Sequence, residues 1–387
     1  MDNGAGGPRR GRILFISAYD IARPSTGTAR RGQELLAGLA PRHEIHLVYL
    51  DGMKSPGQHR VRPRLPDALA SVDAVPYTKV GYFLFSQRMH QLACAVIEQH
   101  NCELVVADFE NAGMYGVLLA RRYRLPLLYN SHDIEYRRYL SLARRDWRRA
   151  VLMPYIYAVE RLTAARSDRV IAISPDDASV FQRWTVPSRV AVVPGSFDAE
   201  QYHPFYPPPP PDAPPTVLFV GNMNYPPNEE AARLLQEKVI PAVHSRRPEV
   251  RFQFVGTYPA GLNLKLPGTE FTGYVEDLVP PLRAAHVVAA PLLRGGGMRI
   301  KTLEALACGK PIVATPLGLQ GINRQHHSAV VVTEADGLAD ALLTVLASEK
   351  PVNPEHFAEL KATYGTEAVV DQFDQVLRAL LPREQAA

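Results

Sequence analysis

Residues 291–316 read PLLRGGGMRIKTLEALACGKPIVATP, and this stretch indicates the fold of the whole chain. An apolar run at 286–291 leads into it and predicts a buried strand. Glycines and a helix-like pattern follow, and that pattern ends at Cys308-Gly309-Lys310-Pro311, just before a second apolar strand at 312–315. Strand, loop, helix and strand in this order predict a βαβ unit of a parallel sheet.

The same stretch carries the residue types of an anion site beside a polyol site. Three glycines, 295–297, remove side chains near a helix start, where free backbone N–H groups can face an anion. Arg299 and Lys301 add positive charge there, and Glu304 is within reach of a neutral sugar hydroxyl. Phosphate beside a polyol is the chemistry of a nucleotide, so we predict a nucleotide site. The alternative is an ordinary βαβ turn with a solvated basic edge.

Length and composition predict a globular protein of two domains. The chain has 387 residues, and a hydrophobic content of 46% supports full cores. A net charge of +4 is too small to indicate a nucleic-acid partner. Residues 1–205 hold 27 Lys and Arg against 20 Asp and Glu, whereas 206–387 hold 16 against 19. The first half is therefore the expected place for an acidic partner or an anionic membrane surface.

Cysteine usage and hydropathy predict a cytoplasmic protein. Cys94, Cys102 and Cys308 match no metal spacing and no disulfide framework, which favours a reducing compartment. Residues 1–11 are polar and glycine-rich, so we expect a disordered tail and not a signal peptide. No apolar run is long enough to cross a bilayer, and peripheral association with the inner membrane face stays open. Abundant Arg, Ala and Pro indicate a bacterial, GC-rich genome.

The first half opens with a βαβ pattern. A strand is predicted at 12–17, a helix at 30–39 and a second strand at 44–50, which together predict a doubly wound parallel sheet. The loop after the first strand contains Gly27 and lies at the carboxyl edge of the sheet, where such folds bind ligands. A single loop glycine without that context is an ordinary turn residue.

A histidine follows a later strand of the same half. His132 comes directly after the predicted strand 125–130 and is followed by Asp133 and Glu135. That position, beyond the carboxyl end of a strand, makes His132 a candidate catalytic group. The alternative is a loop histidine bonded to a carboxylate for structural reasons.

The densest basic segment is 137–149, with the sequence RRYLSLARRDWRR, and it is predicted to be helical. A solvated helix face is the favoured interpretation. The functional alternative is contact with an anionic membrane or a phosphorylated acceptor.

A proline-rich segment at 206–215 predicts a stiff linker, because the α/β pattern restarts directly after it. The second half then predicts strands at 216–221, 251–256, 287–291, 312–315 and 329–332, and helices at 229–243, 278–285, 335–347 and 354–381.

Several ordered motifs carry a family resemblance: Pro24-Ser-Thr-Gly27, His132-Asp-Ile-Glu135, Asp168-Arg-Val-Ile-Ala-Ile-Ser174, Val193-Pro-Gly195, Phe219-Val-Gly-Asn222, and the run from Gly297 to Pro311. Together they resemble the GT-B glycosyltransferases, in particular glycosyltransferase family 4, the retaining group that uses nucleotide sugars. The resemblance covers about residues 12–380.

The resemblance implies an α/β protein of two Rossmann-like, doubly wound parallel-sheet domains facing a cleft. An acceptor-binding domain is expected at 12–205, the linker at 206–215 and a nucleotide-sugar-binding domain at 216–365. The C-terminal helix at 366–387 is expected to pack back on the N-terminal domain.

Roles transfer where residues match the family motifs. Glu304 matches the second Glu of the E-x7-E pattern, which binds the ribose hydroxyls, and the turn 273–275 matches the segment that recognises the base. His132 matches the histidine beside the donor sugar at the catalytic centre, and Gly27 a loop near the diphosphate and acceptor. The implied donor-binding set is Gly27, Gly221, Asn222, Gly273, Tyr274, Val275, Gly295, Gly296, Gly297, Met298, Arg299, Lys301, Thr302 and Glu304, and the catalytic set is His132, Arg299 and Lys301.

The chain departs from the family pattern at two places. Gly296 stands where E-x7-E has its first Glu, so a carboxylate contact to the sugar is absent or replaced by backbone N–H. The segment 222–228, NMNYPPN, lacks the cations that many members place after the first strand of the second domain. We therefore expect Arg299 and Lys301 to neutralise the leaving diphosphate.

The expected activity is transfer of a hexose from a nucleotide diphosphate sugar to an acceptor hydroxyl with retention at the anomeric carbon. The acceptor is a glycan, a lipid-linked sugar or a natural product. No cofactor and no metal ion are expected. A GT-B nucleotide-sugar epimerase and a non-catalytic nucleotide-sugar-binding subunit are the alternatives. A dinucleotide-dependent oxidoreductase is disfavoured, because neither first βα turn carries G-x-G-x-x-G.

Overall fold

The computed structural model describes residues 9–23, 26–52, 63–78, 85–143, 147–205, 207, 209–210, 212–262, 266–323, 330–348 and 354–382. These residues form two compact units. The first unit is drawn from the chain up to Pro194 and from Val369 onward, and the second unit is Gly195–Ala368.

The first unit is built on a seven-stranded parallel sheet. Its strands are β1 (Arg12–Ser17), β2 (Glu44–Asp51), β3 (Ser71–Pro76), β4 (Leu104–Asp108), β5 (Leu127–Asn130), β6 (Arg169–Ala172) and β7 (Val190–Val192). Their order in the sheet is β3-β2-β1-β4-β5-β6-β7. Side chains of β1 alternate between two cores: Ile13 and Phe15 face one, and Leu14 and Ile16 face the other. A sheet covered on both faces needs such continuous apolar strands.

Helices cover both faces of this sheet. They are Gly27–Leu39, Gln87–His100, Gly113–Tyr123, Glu135–Leu142, Trp147–Arg166, Pro175–Phe181 and Thr366–Arg378, with short 3₁₀ turns at Glu110–Ala112 and Pro187–Arg189. Thr26, Ser86 and Ser174 begin three of the helices, because each hydroxyl accepts a hydrogen bond from a backbone N–H of the first turn.

The last helix, Thr366–Arg378, packs on the first unit. Its apolar face shares a core with the helix Gly27–Leu39, and Phe373 in that face is fully buried. Nε2 of His43 lies 2.6 Å from Oδ1 of Asp374, which adds a polar contact to the same face. Burial of each large apolar side chain contributes about 1.5–3 kcal/mol, so this helix is an integral part of the first unit.

The second unit is built on a six-stranded parallel sheet in the order β10-β9-β8-β11-β12-β13. The strands are β8 (Thr216–Val220), β9 (Arg251–Val255), β10 (Thr269–Gly273), β11 (Val287–Ala290), β12 (Ile312–Ala314) and β13 (Val330–Val332). Its helices are Pro226–Leu234, Ile240–His244, Val279–Ala284, Ile300–Ala307, Leu338–Leu346 and Pro354–Tyr364, with a π-helical segment at Leu235–Val239 and 3₁₀ turns at Pro316–Leu319 and Ala335–Gly337. The prediction of two doubly wound parallel sheets is confirmed.

Some elements differ from those predicted. β3 was not predicted, because its residues Ser71-Val-Asp-Ala-Val-Pro76 form a short, half-exposed edge strand without an apolar run. The basic segment 137–149 is not one helix: the first helix ends at Leu142 and the next begins at Trp147, with 144–146 outside the described residues. The helix predicted at 354–381 is interrupted at Gly365, which forms a bridge with Phe197.

Two further expectations concern the ends of the units. Residues 1–8 of the expected tail lie outside the described residues, and the described residues 9–11 contact the first unit through hydrogen bonds such as Gly11 N to His43 Nδ1 at 3.1 Å. The described part of the proline-rich segment, which excludes Tyr206, Pro208 and Pro211, contains no helix or strand before Thr216.

All three cysteines are buried free thiols. No helix in the described part of the chain is long and apolar enough to span a membrane.

Candidate active site

A glycine-rich loop connects β11 to the helix Ile300–Ala307 at the carboxyl edge of the second sheet. Gly295 and Gly297 have φ angles of +113° and +75°, which L-residues with side chains rarely adopt. The helix begins three residues after Gly297, so the glycines lie in the loop and not in the first helical turn. The sequence placed these glycines at the helix start, whereas the structure places them ahead of it.

Arg299 holds this loop in shape. Its Nε donates to the carbonyl of Leu317 at 3.0 Å, and its Nη1 donates to the carbonyl of Gly296 at 3.0 Å. Its Nη2 lies 3.4 Å from Oε1 of Gln320. Through these hydrogen bonds, the guanidinium of Arg299 links the glycine loop to the turn that follows β12. The positive charge of Arg299 lies at the edge of the sheet.

Lys301 and Glu304 form an ion pair on the helix after the loop. Nζ of Lys301 lies 2.9 Å from Oε2 of Glu304, and the carboxylate side chain is 1% exposed whereas the lysine side chain is 40% exposed. The carboxylate is thus buried beneath an accessible cation. Neighbouring site residues are held by the fold: Thr302 Oγ1 donates to the Gly318 carbonyl at 3.0 Å, and Met298 is buried with its Sδ 3.2 Å from the Gly195 nitrogen.

The helix Pro226–Leu234, which follows the loop after β8, lies against the glycine loop. A Cβ added at Gly295 would be 3.5 Å from Pro227, and Arg294 forms an ion pair with Glu230 at 2.6 Å. Asn222 takes part in a hydrogen-bond network of uncharged groups. Its Oδ1 accepts hydrogen bonds from Thr257 Oγ1 at 2.7 Å and from the Asn224 backbone nitrogen at 3.0 Å. The structure therefore brings together the two segments that the sequence singled out in this unit.

The predicted base-recognition turn lies at the same edge of the sheet. Gly273 ends β10, and its carbonyl accepts a hydrogen bond from Gly256 N at 2.8 Å. Tyr274 is 51% exposed and Val275 is half-buried. Because all strands of the sheet are parallel, the ends of β8, β10 and β11 share the edge at which such sheets bind ligands.

Gly27 lies in the first unit as the exposed first residue of the helix Gly27–Leu39. Pro24 and Ser25 of the same motif are outside the described residues. Arg31 in the first turns of this helix is buried, and its Nη2 donates to the Val193 carbonyl at 2.8 Å. Burial lowers the pKa of Arg31 to about 10. The helix that carries Gly27 is thus fixed to the last residues of the first unit.

His132 is buried at the carboxyl edge of the first sheet and is bonded to Asp108. Nε2 of His132 lies 2.7 Å from Oδ1 of Asp108, which also accepts from Asn130 Nδ2 at 2.7 Å. Oδ2 of the same carboxylate accepts from Ser17 Oγ at 2.9 Å. Burial acts to raise the pKa of Asp108, but the charge and hydrogen bond of His132, with the bonds from Ser17 and Asn130, outweigh it and lower that pKa.

Comparison with known proteins decides the class of the chain. Residues 214–348 match the model for glycosyl transferases group 1, and residues 25–201 match the model for glycosyltransferase family 4. The chain is a GT-B glycosyltransferase of the family 4 type. The expected enzyme class and fold are thereby confirmed.

This glycosyltransferase is also similar to individual known proteins. The chain is 24% identical over 417 residues to a D-inositol 3-phosphate glycosyltransferase of Gordonia bronchialis, covering 97% of this chain and 88% of that protein. It is 25% identical to an uncharacterized 44.6 kDa protein in the cps region of Klebsiella pneumoniae, a match that covers 44% of this chain and 45% of the other. HepE of Anabaena, solved in complex with UDP, superposes with a TM-score of 0.69 at 16% identity over 95% of this chain and all of that chain.

Glu110 and Glu160, which the sequence did not single out, join Asp133 and Glu135 in a group of buried carboxylates near His132 in this glycosyltransferase. Glu110, Glu135 and Glu160 are each at most 2% exposed, and Asp133 is 9% exposed. Glu160 accepts from the backbone N–H groups of Glu135 at 3.0 Å and Tyr136 at 3.3 Å, so it caps the helix Glu135–Leu142. Glu110 and Glu160 are distant from Asp133 and Glu135 in sequence, so only the folded chain brings all four together.

Their mutual proximity changes their acidity. Burial, and next the charge of Glu135, raises the pKa of Asp133 to about 7 and that of Glu110 well above the ordinary value. Burial likewise raises the pKa of Glu160. Arg138 contacts Glu135 and supplies the nearby positive charge.

Within the described residues, no group of three or more His, Cys, Asp or Glu side chains is arranged to hold a metal ion.

Proposed function

We propose that this enzyme transfers a hexose from a nucleotide diphosphate sugar to an acceptor hydroxyl with retention of anomeric configuration. The supporting observation is the contact between the glycine loop and the segment after β8, beside the accessible Lys301. Two loops from adjacent parallel strands there offer backbone groups and one accessible cation to a diphosphate.

The charges of this site suit a leaving nucleotide diphosphate. When the bond between the anomeric carbon and the phosphate oxygen breaks, negative charge grows on the phosphate. Lys301, 40% exposed, is placed to approach that charge, and the buried Glu304 limits where its ammonium can go. Arg299 adds charge at the same edge and keeps the glycine backbone in its left-handed conformation. Preorganised groups of this kind stabilise a transition state because they need no rearrangement.

The donor is proposed to be a UDP-sugar. HepE, which shares the fold, was solved with UDP and with UDP-glucose. In this chain the exposed ring of Tyr274 beside Gly273 offers a surface for a base, and Gly273 and Val275 offer backbone groups to its edge. Glu304 is then assigned to the ribose hydroxyls, beside the diphosphate that Lys301 faces.

The proposed reaction needs no carboxylate nucleophile. The acceptor oxygen bonds to the anomeric carbon on the face from which the phosphate leaves, the bond from that carbon to phosphate oxygen breaks, and the acceptor proton passes to the leaving phosphate. His132 is assigned to the donor sugar at this centre. The acceptor class is proposed to be a glycan, a lipid-linked sugar or a natural product.

The enzyme is further proposed to act in the cytoplasm and to touch the inner membrane face through 137–149. Leu140 in this segment is 55% exposed and Val151 just beyond it is 66% exposed, which suits insertion beside arginines. Sedimentation with vesicles rich in anionic lipid tests this contact. Binding that is equal for neutral vesicles would contradict it.

Calorimetric titration of the full chain with UDP, UDP-glucose, UDP-galactose and GDP-mannose tests the donor proposal. We expect UDP and one UDP-sugar to bind, and release of UDP on prolonged incubation. Absence of binding by every nucleotide would contradict the proposal. Appearance of an epimerised sugar nucleotide without acceptor would instead identify an epimerase.

No metal ion is proposed to take part in the reaction, because Lys301 and the loop N–H groups supply the positive field. Release of UDP should therefore be unchanged by excess EDTA. Loss of turnover that added Mg²⁺ restores would contradict this.

A further inference from the structure

Two arginines flank the glycine loop. The loop consists of Gly295, Gly296 and Gly297, and Arg294 precedes it while Arg299 follows it. Glycine has more backbone freedom than any other residue, so a run of three glycines needs outside contacts to keep one conformation. Arg299 supplies one such contact through the carbonyl of Gly296. The contacts of Arg294 therefore decide how the other end of the loop is held.

Arg294 forms an ion pair with the helix that follows the loop after β8. Its Nη2 lies 2.6 Å from Oε1 of Glu230 in the helix Pro226–Leu234, and the two side chains are 33% and 14% exposed, respectively. A Cβ added at Gly295 would lie 3.5 Å from Cγ of Pro227 in the same helix. The helix thus contacts the first end of the loop at two places, one charged and one apolar. All of these residues belong to the second unit.

The charge of Arg294 faces a carboxylate that is more buried than the arginine itself. If the guanidinium left Glu230 to contact a phosphate, the carboxylate would lose this partner in a place with little water to replace it. Separating such a partly buried pair costs free energy. The geometry therefore favours an effect of Arg294 on the loop over a direct contact with a phosphate.

We propose that Arg294 and Glu230 are positioning residues for donor binding, and that their ion pair holds the glycine loop in the conformation that receives a diphosphate. This inference rests on the proposed function, in which the loop meets the diphosphate of a nucleotide sugar. Neither side chain touches the donor. A loop that is already held in its binding conformation loses less entropy when the ligand binds, and affinity rises for that reason.

Isothermal titration of the full-length protein with UDP tests this role. Arg294→Gln and Glu230→Gln should each weaken UDP binding about 5- to 10-fold, with melting temperatures within about 3 °C of wild type. The variant that carries both substitutions should bind at most about 2-fold more weakly than either single variant, because the same ion pair is lost in all three.

A direct contact between Arg294 and the diphosphate predicts a different pattern. Arg294→Gln would then weaken binding, whereas Glu230→Gln would leave the affinity unchanged or raise it, because the arginine is released from its carboxylate. That pattern would overturn the inference. Losses that multiply in the double variant, or wild-type affinity in both single variants, would also overturn it. Failure of the wild-type protein to bind any nucleotide would instead refute the proposed function on which the inference rests.

The neighbouring ion pair of the same helix provides the matched control. Glu229 lies 3.1 Å from Arg233, with side chains 20% and 38% exposed, and both residues belong to the helix Pro226–Leu234. Glu229→Gln and Arg233→Gln therefore remove a similar pair that does not reach the loop. Both control variants should bind UDP as wild type does.

The conformation of the loop can be measured without any ligand. In protein labelled with ¹⁵N-glycine, the chain has 26 glycines, and relaxation measurements give backbone order parameters for Gly296 and Gly297. Both order parameters should fall in the Arg294 and Glu230 variants and stay at wild-type values in the Glu229 variant. Wild-type order parameters in the Arg294 and Glu230 variants would overturn the inference, whatever the donor is.

Discussion

The ammonium of Lys301 lies 2.9 Å from a carboxylate oxygen of Glu304, one turn further along the helix Ile300–Ala307. The pair is asymmetric, because the acid is buried and the base is 40% exposed. A buried carboxylate that is paired with an exposed ammonium holds the ammonium at the surface and restricts its movement. This relationship makes Lys301 the described group best placed to meet a diphosphate beside the glycine loop.

Lys301→Met should therefore weaken UDP binding about 10- to 100-fold, the loss expected for one charge-assisted hydrogen bond. Isothermal titration calorimetry of full-length protein measures it. Lys238→Met, which removes an exposed lysine on a helix of the same unit, is the matched control and should bind as wild type. Equal affinity of the Lys301 and Lys238 variants would exclude Lys301 from the site.

Arg299→Ala should lower the stability of the second unit by about 1–3 kcal/mol, because the carbonyls of Gly296 and Leu317 each lose a donor. Arg299→Lys should not restore it, since one ammonium cannot reproduce the guanidinium fork. Urea unfolding followed by circular dichroism measures the change. Full recovery by lysine would show that only the charge matters.

Gly256→Ala should disrupt the segment after β8. Gly256 has a φ of +130°, and a Cβ there would lie 2.0 Å from the backbone oxygen of Gly221. We expect a loss of more than about 3 kcal/mol and weaker UDP binding. The control is Gly261→Ala, where an added Cβ meets nothing within 4 Å. A wild-type melting temperature for the Gly256 variant would contradict this geometry.

Glu110→Gln should stabilise the first unit in alkaline but not in acidic solution. Burial raises the pKa of Glu110 in the folded state above that of the unfolded chain. Below the unfolded pKa of about 4.3, the wild-type carboxyl therefore does not lower the free energy of unfolding. As pH rises toward the folded pKa, this carboxyl lowers the free energy of unfolding increasingly. Asp133, with a pKa raised to about 7, responds in the same direction.

Thermal unfolding at about pH 4 and about pH 8 checks this sign. The Glu110 variant should have a higher melting temperature than wild type only at the higher pH. Glu44→Gln, at an exposed position of the same unit, should show no such difference. A Glu110 variant that is less stable at the higher pH would mean that the ionised carboxylate is favoured in the fold.

Much of the fold could be predicted because its strands are apolar runs between loops. β12 and all of β1 after Arg12 are buried, and their apolar sequences show it directly. β3 could not be predicted, because an edge strand with Ser, Asp and Pro lacks that pattern. The end of a helix at Leu142 also escaped prediction, since the basic residues continue past it.

The site was predictable only where partners are close in sequence. Lys301 and Glu304 are three residues apart, so helical spacing alone places them together. Asp108 and His132 are 24 residues apart and meet because β4 and β5 are neighbours in the sheet. Aspartate at the end of one strand and histidine just after the next was the available signal. Arg299 was expected to serve the phosphate, but its contacts to the loop backbone depend on the turn after β12.

The configuration of the sugar first released from the donor tests the central claim most directly. Proton NMR of the full-length enzyme with UDP-glucose, an α-linked donor, distinguishes the anomers of glucose as they form. Retaining transfer to water predicts that α-glucose appears first and that the β-anomer grows only by mutarotation. First appearance of β-glucose would contradict the account.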